Sequence, residues 1–167
     1  MALIVEDGSI VANANSYLSL VDAQSIVDNL GYTATLTEAN VLRGMAMLNM
    51  LHWCGYRVEP ETQPLPWPRV QMFYPDGRGI GSTTIPPELK TALAVLAYEI
   101  NAGNDPASVT GQGAVKREKV DVIEVEYADG KAKSNDFNIL QIPLVKGNLD
   151  AFICSWGLGH TSRIDRA

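Results

Sequence analysis

The feature that most constrains the fold is an alanine-rich stretch, residues 86–103, which opens with two prolines and ends at a glycine. Proline is tolerated in the first helical turn because its missing N–H has no helical partner there. Gly103 suits the left-handed residue that often follows a last turn. Four apolar residues recur at spacings of four, three and four and so share one helix face: Leu89, Leu93, Leu96 and Ile100. The stretch predicts a thin central helix that its neighbours can approach closely.

Two further helices begin at recognisable caps. Ser19 can cap the first, Asp22 completes an approximate capping box, and Gly31 ends the helix. Thr37 can cap the second helix, which we expect to end at Gly55. The helical spacing predicts their core faces: Leu20, Ala23, Val27 and Leu30 in the first, and Val41, Met45, Leu48 and either Leu51 or His52 in the second.

The sequence makes two more predictions about helices, one from a glycine inside the second helix and one from apolar spacing near the C-terminus. Gly44 costs about 1 kcal/mol relative to alanine in a helix, and a close helix crossing would explain it. Residues 144–156 predict a last helix, followed by an extended tail over residues 157–167. The apolar residues that fit this last helix are Val145, Leu149, Phe152, Ile153 and Trp156.

A long connection, residues 56–84, is rich in proline and glycine. A loop of this length is uncommon in a compact domain and is often functional. Trp67 in its middle either anchors the loop in the core or binds a partner, and we favour the anchor.

Residues 115–127 predict a β-hairpin. Val120 and Val122 share one parity, whereas Ile123, Val125 and Tyr127 share the other, so a continuous strand would put the two sets on opposite faces. A tight turn near residues 121–122 removes the conflict, and a bulge is the alternative. Because an isolated hairpin is marginally stable, it must lie on the helices or pair with another chain.

Composition narrows the class of protein. The 167 residues suffice for one ordinary domain with a core. The net charge of −6 argues against a generic nucleic-acid binder, which normally needs a basic face. Cys54 and Cys154 lack a metal or redox spacing, so we expect reduced, buried thiols in a cytosolic setting. No signal peptide and no apolar run long enough for a bilayer are visible, so no membrane partner is expected.

No constellation of residues points to catalysis. His52 and His160 lack the spacing of a metal pair, and residues 77–84 lack the lysine of a phosphate loop. No serine nucleophile elbow is present. We therefore expect neither an enzyme nor a bound metal or cofactor. The cations of the hairpin are interpreted as partners in ion pairs, within the hairpin or with a neighbouring subunit, in preference to phosphate ligands: Lys116, Arg117 and Lys119.

Several short motifs, taken together, resemble one family. They are VEDG with ANSY near the start, WPR in the middle, IPPELK at the central helix, and VKREKV with EVEY in the hairpin. In this order they resemble the small tailed-phage and prophage proteins called DnaT-like single-stranded-DNA-binding proteins. The resemblance covers the chain to about residue 150.

Proteins of this type also resemble head–tail connector adaptors, which are small helical proteins with a β-hairpin. The resemblance implies a structural connector of a tailed phage, made in the host cytoplasm and placed in the virion neck. There it would form a homo-oligomeric, typically dodecameric ring around the DNA exit channel. Its partners would be the portal protein, a downstream tail or neck protein, and genomic DNA that passes without specific binding. The alternative is a single-stranded-DNA-binding accessory protein in phage replication.

The expected architecture is mainly α, with a four-helix core, a β-hairpin, long loops and an extended C-terminal tail. Residues 1–156 would form a single domain and residues 157–167 the tail. We expect subunit contacts from the hairpin residues Lys116, Arg117, Lys119, Glu124 and Glu126. Trp67 and Arg69 are expected either at that interface or as loop anchors. The resemblance to adaptors implies portal docking by the C-terminal residues Trp156, Arg163, Ile164 and Arg166.

Overall fold

The protein is mainly α, with small antiparallel pairs of strands. The structure, a computed structural model, describes residues 2–104, 118–120, 123–125, 139 and 142–154. Within these ranges there are four helices: α1 (Leu20–Asn29), α2 (Glu38–Asn49), α3 (Pro87–Asn101) and α4 (Pro143–Leu149). The strands in the same ranges are β1 (Tyr56–Arg57), β2 (Arg69–Val70), β3 (Glu118–Val120) and β4 (Ile123–Val125). β1 pairs antiparallel with β2, and β3 pairs antiparallel with β4.

The central position of α3 is confirmed. It contacts α1, α2 and α4. Pro87 lies in its first turn, and Gly103 beyond its end has a φ of +87°, as the sequence predicts. The residues that α3 buries include the alanines as well as the predicted apolar face: Leu89, Ala92, Leu93, Ala94, Val95, Leu96 and Ala97.

Both predicted N-caps are present. Ser19 Oγ accepts a hydrogen bond from the Asp22 N–H at 3.1 Å. Thr37 Oγ1 accepts one from the Asn40 N–H at 3.3 Å, and Asn40 Oδ1 accepts the Thr37 N–H at 2.9 Å. Each cap satisfies backbone donors that a helix start leaves free.

The predicted end of α2 at Gly55 is wrong, because the helix ends at Asn49. The last turn tightens, with the Leu51 N–H donating to the Leu48 carbonyl at 3.2 Å. Trp53 Nε1 donates to the same carbonyl at 3.2 Å, which draws the indole back over the helix end. Of the two alternatives for the core face, Leu51 is buried and His52 is exposed.

Gly44 marks the close crossing that the sequence predicted. A Cβ at this position would lie 3.2 Å from Leu93 Cδ1 and 3.4 Å from Leu96 Cβ. Both distances are short for carbon atoms in contact, so the absence of a side chain lets α2 lie close against α3.

The predicted extent of the last helix is also wrong. α4 ends at Leu149, and the Phe152 N–H donates to the Leu149 carbonyl at 2.8 Å in a turn. Ile153 then forms an antiparallel bridge with Trp53. The apolar spacing past Leu149 therefore reflects burial in a turn and a bridge, not a continued helix. Trp156 lies outside the described residues.

Cys54 and Cys154 form a disulfide, which corrects the prediction of reduced thiols. The Cα atoms are 5.0 Å apart. The cysteines meet because the Cys54 N–H donates to the Phe152 carbonyl and the Cys154 N–H to the His52 carbonyl, each at 2.9 Å. Cys154 is exposed and Cys54 is half-buried, so burial is less complete than predicted.

The predicted hairpin is confirmed where the structure describes it. β3 and β4 are joined through residues 121–122, and Lys119 stands opposite Glu124 in the backbone register. The rest of the predicted hairpin segment and the whole tail over residues 157–167 lie outside the described residues. In the described part of the chain, no helix has the length and apolar character that crossing a membrane requires.

Candidate functional site

The middle of the long connection is folded into the interior. Trp67 has no exposed surface and contacts Trp53 and Phe152 edge-on, with ring centroids 5.9 Å and 5.7 Å apart. Its backbone N–H donates to Tyr17 Oη at 3.1 Å, and burial raises the pKa of Tyr17. Of the two roles predicted for Trp67, interface or anchor, these contacts fit the anchor.

Arg69 holds the same segment together from inside. Its guanidinium donates to four backbone carbonyls, at 2.6 Å to Cys54, 2.7 Å to Gly55, 3.1 Å to Pro66 and 3.2 Å to Trp53. The side chain is only 8% exposed, and burial lowers the pKa of Arg69, with the charge of Arg57 adding to the effect. An always-charged planar fork can satisfy several carbonyls at once. These bonds, too, fit the anchoring role.

The paired strands β1 and β2 present two exposed residues beside this anchor. Tyr56 stands opposite Val70, and Arg57 stands opposite Arg69. Tyr56 is 65% exposed, and Arg57 is also exposed. Among the described residues, no side-chain hydrogen bond or ion pair involves Arg57. Arg69 is thus internal, whereas Arg57 is exposed and can contact a ligand.

A second hairpin follows directly and holds Phe73 outward. The Tyr74 N–H donates to the Arg78 carbonyl and the Ile80 N–H to the Met72 carbonyl, each at 2.8 Å. Successive residues of extended chain point to opposite sides. Met72 is buried and Tyr74 packs edge-on against the buried Phe152 at 6.2 Å, so Phe73 between them is left 59% exposed.

At the tip of this hairpin, the Arg78 side chain is held in place by its neighbours. The Arg78 guanidinium carbon lies 5.0 Å from the centre of the Tyr74 ring, and Arg78 Nε donates to Asp76 Oδ2 at 2.6 Å. This bond raises the pKa of Arg78 and lowers the pKa of Asp76. Both charged groups are largely exposed, so the pair contributes little to stability.

The two hairpins are neighbours. A Cβ at Gly55 would collide with the Val70 carbonyl and lie 2.8 Å from Met72 Sδ. Tyr56 faces Val70 across the strands, and Phe73 follows Val70 by three residues, so the two Cα atoms are at most about 16 Å apart. We call this surface the aromatic–arginine edge and define it by Tyr56, Arg57, Phe73, Tyr74 and Arg78. Planar rings beside guanidinium groups can stack on bases and contact phosphates.

The N-terminal motif VEDG is structural. Glu6 is buried, and its carboxylate accepts hydrogen bonds from the backbone N–H groups of Gly8, Ile10 and Val11 at 2.8–3.0 Å. Gly8 has a φ of +107°, and a Cβ there would collide with the Thr83 carbonyl. The N-terminal arm therefore fixes the far end of the long connection.

Two further features of the described residues bear on ligand binding. In the part of the chain that the structure describes, no group of three or more His, Cys, Asp or Glu side chains could hold a metal. A shallow, open groove of about 570 Å³ runs beside α1 and is lined mainly by Leu20, Val21, Gln24 and Leu36.

Most of the site residues predicted from sequence are not placed. The structure gives only the backbone register of Lys119 and Glu124. The remaining predicted interface and docking residues lie outside the described ranges, so their roles stay predictions without structural support: Lys116, Arg117, Glu126, Trp156, Arg163, Ile164 and Arg166.

Sequence reasoning missed the aromatic–arginine edge. The available signal was the clustering of aromatic residues with arginines in a loop already marked as functional by its length, at residues 56–57 and 73–78. The pattern could not tell which rings face outward, because Trp67 and Phe73 are aromatic residues of the same loop and yet have opposite burial.

Comparison with family models gives a match to a family described as "Putative DnaT-like ssDNA binding protein", over residues 1–166. Comparison with curated proteins and with solved structures gives no match.

This match overturns the predicted connector. The predicted structural role in the virion is wrong, because the family is described by single-stranded-DNA binding. The same finding contradicts the ring around the exit channel, the portal and tail or neck partners, and DNA that passes without specific binding. The prediction came from the resemblance to adaptors, and the net charge of −6 was the reason to prefer it over single-strand binding. A net charge is a sum over the whole surface, whereas a bound strand meets only the local charges and rings.

Proposed function

Because the chain belongs to the family described as DnaT-like ssDNA-binding proteins, we propose that it binds single-stranded DNA as an accessory protein in phage replication. The observation that carries the proposal is the family match over residues 1–166. The phage setting comes from the resemblance of the sequence motifs. We propose the host cytoplasm as the compartment in which the protein is made.

An acidic chain needs local cations to bind a polyanion. Arg57 and Arg78 supply two at the aromatic–arginine edge, although Arg78 is already bonded to Asp76. The hairpin sequence adds Lys116, Arg117 and Lys119. With two or three phosphates neutralised, the slope of log K against log salt for a single strand is about −1.4 to −2.1.

The contacts of α3 with α1, α2 and α4 support a four-helix core as the scaffold for this binding surface. A single domain over residues 1–156 is consistent with this core and stays a prediction. The absence of enzymatic activity also stays a prediction.

The test is fluorescence anisotropy with a labelled oligo(dT) of 30 nucleotides and a duplex of equal length, between 50 and 200 mM salt. We expect preference for the single strand and a decrease in affinity of about 7- to 18-fold across that range, as two or three phosphate contacts require. Arg57→Gln and the triple variant Lys116→Gln/Arg117→Gln/Lys119→Gln should each weaken binding.

The matched control is Lys146→Gln on α4, which removes the same charge from an exposed lysine that lies 3.8 Å from Asp150. We expect it to leave binding unchanged. No binding of the wild-type protein to oligo(dT) at 50 mM salt, or equal binding of duplex, would contradict the proposed function.

A further inference from the structure

We propose that Tyr56 and Phe73 form a base-stacking site, in which each ring stacks on an unpaired base. This inference rests on the proposed function and assigns it to particular residues. It also explains how an acidic chain can bind a polyanion, since stacking on bases needs no net positive charge.

The exposure of Phe73 is imposed by its neighbours. Met72 is buried on one side of it, and Tyr74 packs against Phe152 on the other. The flanking backbone is tied by the Tyr74–Arg78 and Ile80–Met72 hydrogen bonds. Phe73 therefore cannot turn inward without breaking the hairpin or removing Tyr74 from the aromatic cluster.

Tyr56 is presented from an equally rigid base. The two residues before it, Cys54 and Gly55, accept hydrogen bonds from the buried Arg69 through their carbonyls. Cys54 is also joined to Cys154 by the disulfide. The ring is therefore carried on backbone that is fixed before any ligand arrives, so binding orders little additional chain.

Tyr74 is not a stacking ring, although it belongs to the same edge. Arg78 lies over its face at 5.0 Å, and its ring contacts Phe152 edge-on. Its function here is to position the hairpin and Arg78. This distinction makes the proposal specific: two of the three tyrosine and phenylalanine rings at the edge should bind bases, and the third should not.

The surroundings favour a nucleic acid over a docking protein. A single exposed ring is common on protein surfaces, but here two exposed rings lie in one connection whose exposed residues include Arg57, Gln71 and Asp76. Protein-docking sites are typically contiguous apolar patches, whereas the exposed residues near Phe73 include the polar Gln71 and Asp76. A Cα separation of at most about 16 Å limits the distance between the two stacked bases to about five nucleotides, at about 3.4 Å each. A duplex hides the faces of its bases, so stacking selects single strands.

The experiment measures affinity for oligo(dT) and for an abasic oligonucleotide of the same length, which keeps the phosphates and removes the bases. We expect Tyr56→Ala and Phe73→Ala each to weaken oligo(dT) binding by about 5- to 150-fold, the range for the loss of one base–aromatic stack. Binding of the abasic strand should be weak for the wild-type protein and unaffected by either variant.

Ring-preserving variants and an apolar control separate stacking from other causes. Tyr56→Phe and Phe73→Tyr keep a planar ring and should bind oligo(dT) like the wild type, whereas Phe73→Leu keeps apolar character without the ring and should bind weakly. Val21→Ala removes an apolar side chain that is 77% exposed on α1 and should have no effect. Thermal melting of each variant confirms that the fold is retained.

The outcomes distinguish the two proposals. If the wild-type protein does not bind oligo(dT), the proposed function fails and this inference fails with it. If it binds oligo(dT) but both alanine variants bind equally well, the stacking site is overturned while the proposed function stands. Equal wild-type affinity for the abasic strand would likewise overturn stacking and assign the binding to phosphates alone.

Discussion

The central helix α3 and the long connection over residues 56–84 both reach the interior, but their backbones are satisfied in different ways. In α3, hydrogen bonds within the helix pair the backbone groups, and apolar side chains provide the packing. In the connection, Arg69 donates to three carbonyls of the segment before it, those of Trp53, Cys54 and Gly55, and so joins residues 14 to 16 positions apart. A loop that is held by one buried cation can be rigid without regular structure, and this rigidity lets it present exposed rings.

The variant with the largest expected effect on stability is Arg69→Ala. It leaves four backbone carbonyls without their donor, and hydrogen bonds to a charged group contribute about 1.5–3 kcal/mol each. We expect the free energy of unfolding to decrease by about 4–6 kcal/mol, measured by urea denaturation.

Two variants serve as controls for this prediction. Arg57→Ala removes the arginine directly opposite in the strand pair, which is exposed, and should change stability by less than about 0.5 kcal/mol. Arg69→Lys keeps the charge without the planar fork and should recover only part of the loss. Equal stability of Arg69→Ala and Arg57→Ala would show that the buried fork does not hold the connection.

The link between the connection and the end of α4 is tested by removing the disulfide. The bridge joins residues 100 positions apart, and a native disulfide typically contributes about 2–4 kcal/mol by restricting the unfolded chain. We expect dithiothreitol to lower the free energy of unfolding by that amount, and the double variant Cys54→Ser/Cys154→Ser to be as unstable and insensitive to the reductant.

Alkylation with iodoacetamide in denaturant, followed by mass spectrometry, counts the free thiols directly. Without reductant, neither Cys54 nor Cys154 should be labelled. Labelling of both residues under these conditions would show that the bridge is absent and that hydrogen bonds alone hold the turn after α4.

Two helical glycines test the packing of the helices, and their replacement by alanine is expected to change stability least. Gly147→Ala in α4 meets no atom within 4 Å and should stabilise the protein by about 0.5–1 kcal/mol through helix propensity. Gly44→Ala places a Cβ 3.2 Å from Leu93 Cδ1, so crowding opposes the same gain. We expect it to be about 1–2 kcal/mol less stable than Gly147→Ala in thermal melts. Equal stabilisation by both would mean that α2 and α3 are not closely packed.

Much of the helical part could be predicted because its signals are local. The caps at Ser19 and Thr37, and the glycine after α3, act on backbone groups within a few residues. The antiparallel pairing of β3 with β4 agrees with the side-chain parity of the segment. The candidate site was different, since only the anchoring alternative for Trp67 and Arg69 agrees with their contacts, and the exposed rings were missed.

Sequence patterns were enough to predict the helix starts, the central role of α3, the pairing of β3 with β4 and the family. The ends of α2 and α4, the meeting of Cys54 with Cys154 and the outward orientation of particular aromatic rings became visible only in the folded chain. The reason is physical: caps, spacing and parity depend on neighbours in the chain, whereas helix ends, cross-links and exposure depend on contacts between segments far apart in sequence. Phe73 is exposed because Met72 and Tyr74 are anchored to distant residues, and no local pattern records that anchorage.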